Sequence, residues 1–457
     1  MAQGGPPVRS AIVCACLTIA WAPGLAAASD PPAAAPQRVT NAGLPAAVQL
    51  PPVLDLATAL RLFRAGGLDL LIADATVASA RGDERIAAAI ANPALSLGAG
   101  KTRGYDPSLC EGCSDVSYSA GVSDQAAVFD ALTGKRRLRI RAASAALEAA
   151  ARSRADAERT GVLAVEQQYL AAELAAAARG YATETAASTT ETFRLVDLRY
   201  RKGAVSEAES ALAEAAKLEA DQAVSQADQA VTQAKVALAF LLGVRGARPA
   251  FEVEREFSRF LLPAKLATVS REDLLASALA NRPDLATQES QRRRAEIALA
   301  LAKRQRFPDV GLSLGYSQEG TGQNAISPPT TTLGLTFALP LFYQEQGEIA
   351  KAEADLRTQQ LQLAKLQAQV SADVEGGFAA FTAARERAQR MEGRLLERAR
   401  RARDLVKIQY EKGAASLLEL LDAERSLIAT ETEYLQDLTD YWSAVFGLEA
   451  AVGEELR

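Results

Sequence analysis

The residues with the clearest chemical potential in this chain are acids that follow two glycine-containing turns. Glu419 and Asp422 lie three residues apart, so they share one face if the segment is helical. Glu207 and Glu209 occupy a similar place after the other turn. If three copies of the chain surround one axis, each acid becomes part of a ring of three carboxylates. Such carboxylates repel one another, bind cations and raise one another's pKa. The alternative is a solvated acidic helix start, which the helix dipole favours.

Histidine is absent from all 457 residues. Because His is the usual general base and the commonest metal ligand, a Ser-His-Asp hydrolase and a His-rich zinc site are excluded. There is no evident nucleophile–base pair or phosphate-binding loop, so we expect neither an enzyme nor a cofactor. The formal net charge of -5 gives no reason to expect a nucleic-acid partner.

One CxxC motif, Cys110 to Cys113, lies between two predicted strands. Such a pair is a redox pair, a disulfide or half of a zinc site. With no second CxxC and no His, a complete zinc site within one chain is not expected. An oxidising location favours a disulfide that locks a loop, with metal capture and free thiols as alternatives.

The N-terminus has the pattern of an export signal. Arg9 precedes an apolar stretch that ends at Ala28 with small residues suited to cleavage, so residues 1–28 are predicted to be a signal peptide. A lipoprotein acylated at Cys16 is the alternative. Residues 29–52 are a Pro/Ala-rich tether, expected to be extended. No later window of about 18 apolar residues exists, so no transmembrane helix is expected.

Landmarks in the rest of the chain recur at a spacing of about 210 residues. For example, Tyr-Arg-Lys-Gly ending at Gly203 is matched by Tyr-Glu-Lys-Gly ending at Gly413. We therefore expect two structural repeats, residues 53–250 and 251–457. Each is predicted to contain a helix, two strands, a long helix, a tight turn and a returning helix.

The predicted strands alternate apolar residues with small or polar ones. For example, Val310, Leu312 and Leu314 alternate with Gly311 and Ser313. A length of about ten residues suits tilted membrane strands, although a soluble half-buried sheet would look similar locally. The strand ranges are roughly 92–104, 115–129, 307–319 and 329–342.

The long helices should run from Gly134 to Tyr200 and from Gly347 to Tyr410, about 65 residues or roughly 100 Å each. In the last helix a set of large residues falls seven apart, which indicates left-handed coiled-coil packing. This set is Leu420, Leu427, Tyr434 and Tyr441, with a second set at Leu421, Ile428, Leu435 and Trp442.

Membrane strands cannot leave a sheet edge unpaired in lipid, so the sheet must close on itself. Four strands per chain are too few, because the smallest membrane barrels need about eight. Three copies would contribute about twelve strands to one barrel. The strands therefore predict a barrel shared among chains.

The order of several motifs resembles the TolC family of outer-membrane efflux proteins, over nearly the whole mature chain. The motifs are Asn92-Pro93-Ala-Leu95, Asn281-Arg-Pro283-Asp284-Leu285, Ala338-Leu-Pro340-Leu-Phe342, and Tyr410-Glu-Lys-Gly413 followed by Ser416-Leu-Leu-Glu419. The stretch from Pro340 to Gly347 looks most like the heavy-metal (cobalt-zinc-cadmium) branch.

The resemblance implies a mainly α fold with a small β part: a trimeric 12-stranded outer-membrane β-barrel continued by a periplasmic α-helical barrel. It implies a passive duct in a Gram-negative outer membrane, with a periplasmic adaptor, an inner-membrane pump of the RND type and outer-membrane lipid as partners. The cargo implied is heavy-metal cations. Drug efflux or type I protein secretion through the same duct is an alternative, and a periplasmic coiled-coil scaffold without a pore is another.

The resemblance also suggests roles for the two turns. Gly203 and Gly413 should lie at the periplasmic tip that contacts the adaptor, with Ser206 and Ser416 as helix N-caps. Glu419 and Asp422 match the family's acidic aperture positions, and the acids after the first turn could add charge. The alternative is helix-turn-helix geometry and nothing more.

Overall fold

The chain runs twice through the same order of long helices and strands. The computed structural model describes residues 49–101, 116–124, 127–245, 250–319, 327–337 and 339–457. The first repeat comprises β1 (Val53–Leu54), α1 (Leu56–Gly66), α2 (Leu68–Ala88), β2 (Ala94–Lys101), β3 (Val116–Ser123), α3 (Ala127–Thr133), α4 (Lys135–Arg201) and α5 (Glu207–Leu241). The second comprises β4 (Glu252–Val253), α6 (Arg271–Asn281), α7 (Pro283–Gln305), β5 (Val310–Glu319), β6 (Ser327–Phe337), α8 (Gln346–Arg390), a π-helical turn (Met391–Leu395), α9 (Leu396–Glu411) and α10 (Leu417–Val452). The predicted tandem repeat of a mainly α chain is confirmed.

Four strands, two from each repeat, form one antiparallel sheet in the order β2-β3-β5-β6. The register places like residues opposite one another. Leu95 faces Val122, Val122 faces Leu314, and Leu314 faces Leu333. Because side chains alternate between faces along every strand, this register keeps one apolar face and one small polar face across all four strands.

The strands are shorter than the sequence suggested. β3 ends at Ser123, whereas the prediction ran to residue 129. The Asp124 side chain accepts hydrogen bonds from the backbone N–H of Leu312 at 2.8 Å and of Val128 at 3.3 Å, so it ends the strand and starts α3. β6 likewise ends at Phe337 rather than at residue 342.

The helices are also more divided than predicted. The first helix of each repeat is two helices, because the chain turns at Gly67 between α1 and α2 and at Arg282 before the proline that begins α7. α4 is continuous for 67 residues. Its counterpart is interrupted by the π-helical turn between α8 and α9. In the described residues, no helix is long and apolar enough to cross a bilayer.

The main core joins the two repeats around a cluster of aromatic rings. Phe257 packs edge-on against Trp442, with ring centroids 4.8 Å apart, and against Phe446 at 5.3 Å. The Tyr169 hydroxyl lies 3.1 Å from the carbonyl oxygen of Leu54, which ties α4 to the parallel pair β1–β4. This core around Phe257 therefore holds the long helices of the two repeats together.

The heptad pattern of α10 is confirmed for its first set. All four members are buried: Leu420, Leu427, Tyr434 and Tyr441. The second set differs, because Ile428 keeps 41% of its surface exposed although Trp442 is buried. α10 therefore packs tightly on one side and leaves part of its second apolar stripe uncovered.

Candidate aperture and channel wall

Both hairpin turns have the same backbone geometry. Gly203 and Gly413 have φ of 73° and 75°, a left-handed conformation that suits glycine. The Gly203 N–H donates to the Tyr200 carbonyl and the Ala204 N–H to the Arg199 carbonyl, both at 2.8 Å. The turn at Gly413 repeats both bonds, so each long helix ends in a Schellman cap.

The returning helices begin at the predicted serines. Ser206 Oγ accepts a hydrogen bond from the Glu209 N–H at 3.3 Å, and Ser416 Oγ accepts one from the Glu419 N–H at 3.2 Å. Both N-cap predictions are confirmed. In the described residues the acid bonds back at the second tip alone, where Glu419 Oε2 accepts from the Ser416 N–H at 2.7 Å and completes a capping box.

The capping box changes what Glu419 can do electrostatically. The hydrogen bond from the Ser416 backbone N–H lowers the pKa of Glu419, so its carboxylate stays ionised. This direction in the single chain is opposite to the rise expected from a ring of like charges. Asp422 and Glu207 are exposed, whereas Glu209 is half-buried.

The structure brings the two tips into contact. Val196, Tyr410 and Leu420 belong to one small buried cluster shared by both hairpins. The Arg199 guanidinium lies 4.9 Å from the centroid of the Tyr410 ring and donates to the carbonyl oxygen of Glu411 at 3.4 Å. Sequence reasoning missed Arg199, although the tyrosine before each turn was a visible signal of a shared contact.

The two faces of the sheet differ sharply. On one face Leu97 and Leu333 are 76% and 72% exposed. On the other face glycines of one strand lie opposite serines of the next, as with Gly98 and Ser119. A Cβ added at Gly98 would lie 2.6 Å from Ser119 Oγ, so the serine occupies the space a side chain would need. The polar face therefore carries only small side chains, which project little from the sheet.

The sequence analysis also missed that α10 buries four acids, of which Glu424 and Glu431 lie in the part of the helix nearer the tip. Glu424 and Glu431 are buried in the helical wall, and burial raises the pKa of both. Glu431 is paired with Arg400 at 3.0 Å. Only the seven-residue spacing of these acids could have indicated that they face inward.

The structure bears only in part on two other predictions, which concern the cysteine pair and metal binding. Cys110 and Cys113 lie outside the described residues, and their disulfide stays a prediction. In the part of the chain that the structure describes, no cluster of three or more His, Cys, Asp or Glu side chains could hold a metal ion.

Comparison with known proteins settles the family. The family model for outer membrane efflux proteins matches residues 60–244 and 274–454, one stretch in each repeat. The chain belongs to the outer membrane efflux protein family. Members of this family are channels and not enzymes, and the same holds for this efflux protein.

Two curated relatives of this efflux protein are similar at low identity. The pyoverdine export outer membrane protein OpmQ of Pseudomonas aeruginosa is 26% identical over 399 residues, which cover 84% of this chain and 82% of OpmQ. The cobalt-zinc-cadmium resistance protein CzcC of Cupriavidus metallidurans is 24% identical over 217 residues, covering 48% of this chain and 49% of CzcC.

Solved structures share the fold of this efflux protein. CusC superposes with a TM-score of 0.71 at 21% identity, covering 87% of this chain and 92% of CusC. VceC of Vibrio cholerae has a TM-score of 0.68 at 21% identity, covering 88% and 97%. At this identity the likeness supports the architecture alone.

Proposed function

We propose that three copies of this chain form the passive exit duct of a tripartite efflux system in a Gram-negative outer membrane. The observation that carries the proposal is the four-stranded sheet with one exposed apolar face and one small polar face. An apolar face suits lipid, and a low, polar face suits a water-filled lumen. β2 and β6 are the edges of the sheet in one chain. Pairing the edges of three copies would close twelve strands into one cylinder.

The helical hairpins would extend this cylinder across the periplasm. α4 alone has 67 residues, about 100 Å at the α-helical rise. The tips at Gly203 with Ser206 and at Gly413 with Ser416 would then meet a periplasmic adaptor, which connects to an inner-membrane pump of the RND type. Residues 1–28 would direct export, and residues 29–52 would tether the first repeat.

We infer that the tip is also an acidic aperture. Glu419 and Asp422 begin α10, and Glu207 and Glu209 begin α5 at the neighbouring tip. Around a three-fold axis they would form rings of carboxylates that attract cations and narrow the passage. In the single chain, hydrogen bonding lowers the pKa of Glu419, which opposes the rise that neighbouring carboxylates of a ring would cause.

Heavy-metal cations are the cargo we propose first, since CzcC is a cobalt-zinc-cadmium resistance protein and acidic rings suit cations. A second candidate is a cargo like pyoverdine, because OpmQ matches over more of the chain. Growth of a deletion strain on cobalt, zinc or cadmium salts, with and without the gene restored, separates the two cargoes.

Planar-bilayer recording of the purified protein tests the duct and its aperture together. The wild type should crosslink as a trimer and give small, cation-selective conductance that divalent cations block. Glu419→Gln with Asp422→Asn should raise the conductance severalfold and weaken the block, because the rings lose their charge. Gln can still complete the capping box, so the helix start is preserved.

The matched control is Glu433→Gln, an exposed acid farther along α10. It should leave conductance and block unchanged. A stable monomer that needs no detergent would overturn the duct in favour of a periplasmic scaffold. A conducting trimer whose divalent block is the same in both variants would retain the duct and remove the aperture.

A further inference from the structure

A cavity of about 470 Å³ that is open to solvent on one side lies between α4, α5 and α10. α4 packs against both other helices, whereas α5 and α10 barely touch. The face of α5 toward this space consists mostly of alanines at helical spacing, with Glu219 and Gln226 between them. The alanines are Ala216, Ala220, Ala223, Ala227 and Ala230. Ile428, the uncovered member of the second heptad set, lines the opposite side.

A buried carboxylate without a full set of partners lines this apolar space. Glu424 is only 5% exposed. Its Oε1 accepts a hydrogen bond from Ser188 Oγ at 3.0 Å, whereas Oε2 has no hydrogen-bond partner in the described structure. A buried unsatisfied carboxylate oxygen is costly, so a ligand that supplied positive charge would be stabilised there.

The surrounding charges favour a cation over an anion. Glu219, Glu424 and Glu431 line the cavity, against Arg425 as the one lining cation. Glu431 is already neutralised by Arg400, which leaves Glu424 as the buried charge open to a ligand. Burial raises the pKa of Glu424, and Arg403 and Lys407 oppose that rise from a distance. In the described residues neither of these two cations forms an ion pair with Glu424.

We propose that this cavity binds an organic cation with an apolar body, which no duct function by itself requires. Its volume lies within the range of about 300–1,000 Å³ typical of small-molecule sites. Alanine methyls and Ile428 would contact the apolar body, and the Glu424 carboxylate would neutralise the charge. A bound molecule would contact α4, α5 and α10 at once and so link the two hairpins.

A metal ion does not fit the same geometry. Glu424 and Glu431 are seven residues apart on one helix, about 10.5 Å along its axis. Glu431 is already paired with Arg400, and in the described residues no group of three or more His, Cys, Asp or Glu side chains could hold a metal ion. The mostly apolar lining offers few other ligands. The ligand class is therefore organic.

Calorimetric titration of the full-length protein in lipid nanodiscs with tetraphenylphosphonium tests the site, with empty nanodiscs subtracted. Tetraphenylborate, an anion of nearly the same shape, measures binding due to apolar character alone. The wild type should bind one tetraphenylphosphonium per chain and no tetraphenylborate. Glu424→Gln should weaken binding about tenfold or more, since a charged partner in a buried site contributes at least about 1.4 kcal/mol.

Two further variants separate loss of the site from loss of fold. Glu433→Gln makes the same change at an exposed position of α10 and should bind as the wild type does. Ala227→Phe fills the cavity and should abolish binding while the trimer and its conductance persist. The proposal is overturned if Glu424→Gln binds equally well, if tetraphenylborate binds as tightly, or if the wild type does not bind. The last result with intact conductance would indicate that a neighbouring helix fills the groove, and the duct would stand.

Discussion

The two repeats share one topology but bury different chemistry along their long helices. α4 buries the carboxyl groups of Glu166 and Glu173 among apolar residues that include Tyr169 and Leu170. At the corresponding level of the second repeat, α8 buries Val370, Val374 and Phe381. α4 is continuous, whereas its counterpart is interrupted by the π-helical turn. Duplicated topology therefore sets the positions of the helices, while each copy obtains its stability from different contacts.

The same contrast appears where the returning helices end. Gly243 and Gly453 both have positive φ, 81° and 79°, and each lies against the helix junction of its own repeat. A Cβ at Gly243 would lie 2.2 Å from the carbonyl oxygen of Gly66. A Cβ at Gly453 would have Arg282 atoms no nearer than 3.6 Å. The backbone of Gly66 therefore leaves no space for a side chain at Gly243, whereas a methyl group fits at Gly453.

The largest predicted effect follows from this difference. Gly453→Ala should lower the free energy of unfolding by about 1–2 kcal/mol, because it adds left-handed strain only. Gly243→Ala should cost about 4 kcal/mol, because the backbone around Gly66 must also move. Thermal unfolding followed by circular dichroism should therefore show a much lower midpoint for Gly243→Ala.

Gly376→Ala is the control, since this glycine lies in α8 with open space around it. Alanine there should raise the midpoint slightly through its better helix propensity. Equal losses in the two end variants would show that the close approach at Gly66 relaxes without cost.

The sequence predicted the features that depend on local pattern. Alternation around Leu312 predicted a strand, and the Tyr-x-Lys-Gly turns predicted both hairpin tips. The seven-residue spacing from Leu420 predicted a buried stripe. In each case the signal repeats within a few residues, so the pattern alone is sufficient.

The features that the sequence did not predict depend on contacts between residues that are far apart in the chain. β3 ends just before Asp124, whose side chain accepts a hydrogen bond from the backbone N–H of Leu312, 188 residues later. The β1–β4 pair has two residues per strand and forms because Tyr169 and the aromatic core hold it. Glu424 is buried on α10 against Ser188 of α4, and alanines of α5 line the cavity beside it. No local periodicity reports such contacts.

A smaller effect is expected from the buried acids that distinguish the first repeat. Glu166 is 2% exposed and forms an ion pair with Arg457. Burial raises its pKa from 4.5 to about 7, with Arg457 opposing the rise. Because the folded state favours the protonated carboxyl, the stability from this group is full below pH 4.5 and is lost as pH rises through about 7.

Glu166→Gln should therefore flatten the decline of the unfolding midpoint between pH 4.5 and 7.5. At pH 7.5 the variant should be more stable than the wild type, by at most about 3 kcal/mol, since it avoids the buried charge. Glu214→Gln, at an exposed position of α5, should leave the pH profile unchanged. A wild-type midpoint that rises over this range relative to Glu166→Gln would mean that the pairing with Arg457 outweighs burial.

The smallest effect compares the third helical residue at each tip. Glu419 completes a capping box with Ser416, and Glu209 occupies the same place after Ser206 without a reciprocal bond in the described structure. Glu419→Ala should cost about 0.5–1 kcal/mol of local stability, and Glu209→Ala almost none. Hydrogen exchange of backbone amides in the first turns of α5 and α10 measures both. Glu419→Gln should keep its protection, because an amide oxygen accepts the same bond. If Gln and Ala lose protection alike, the negative charge at the helix N-terminus, rather than the reciprocal bond, stabilises the second tip.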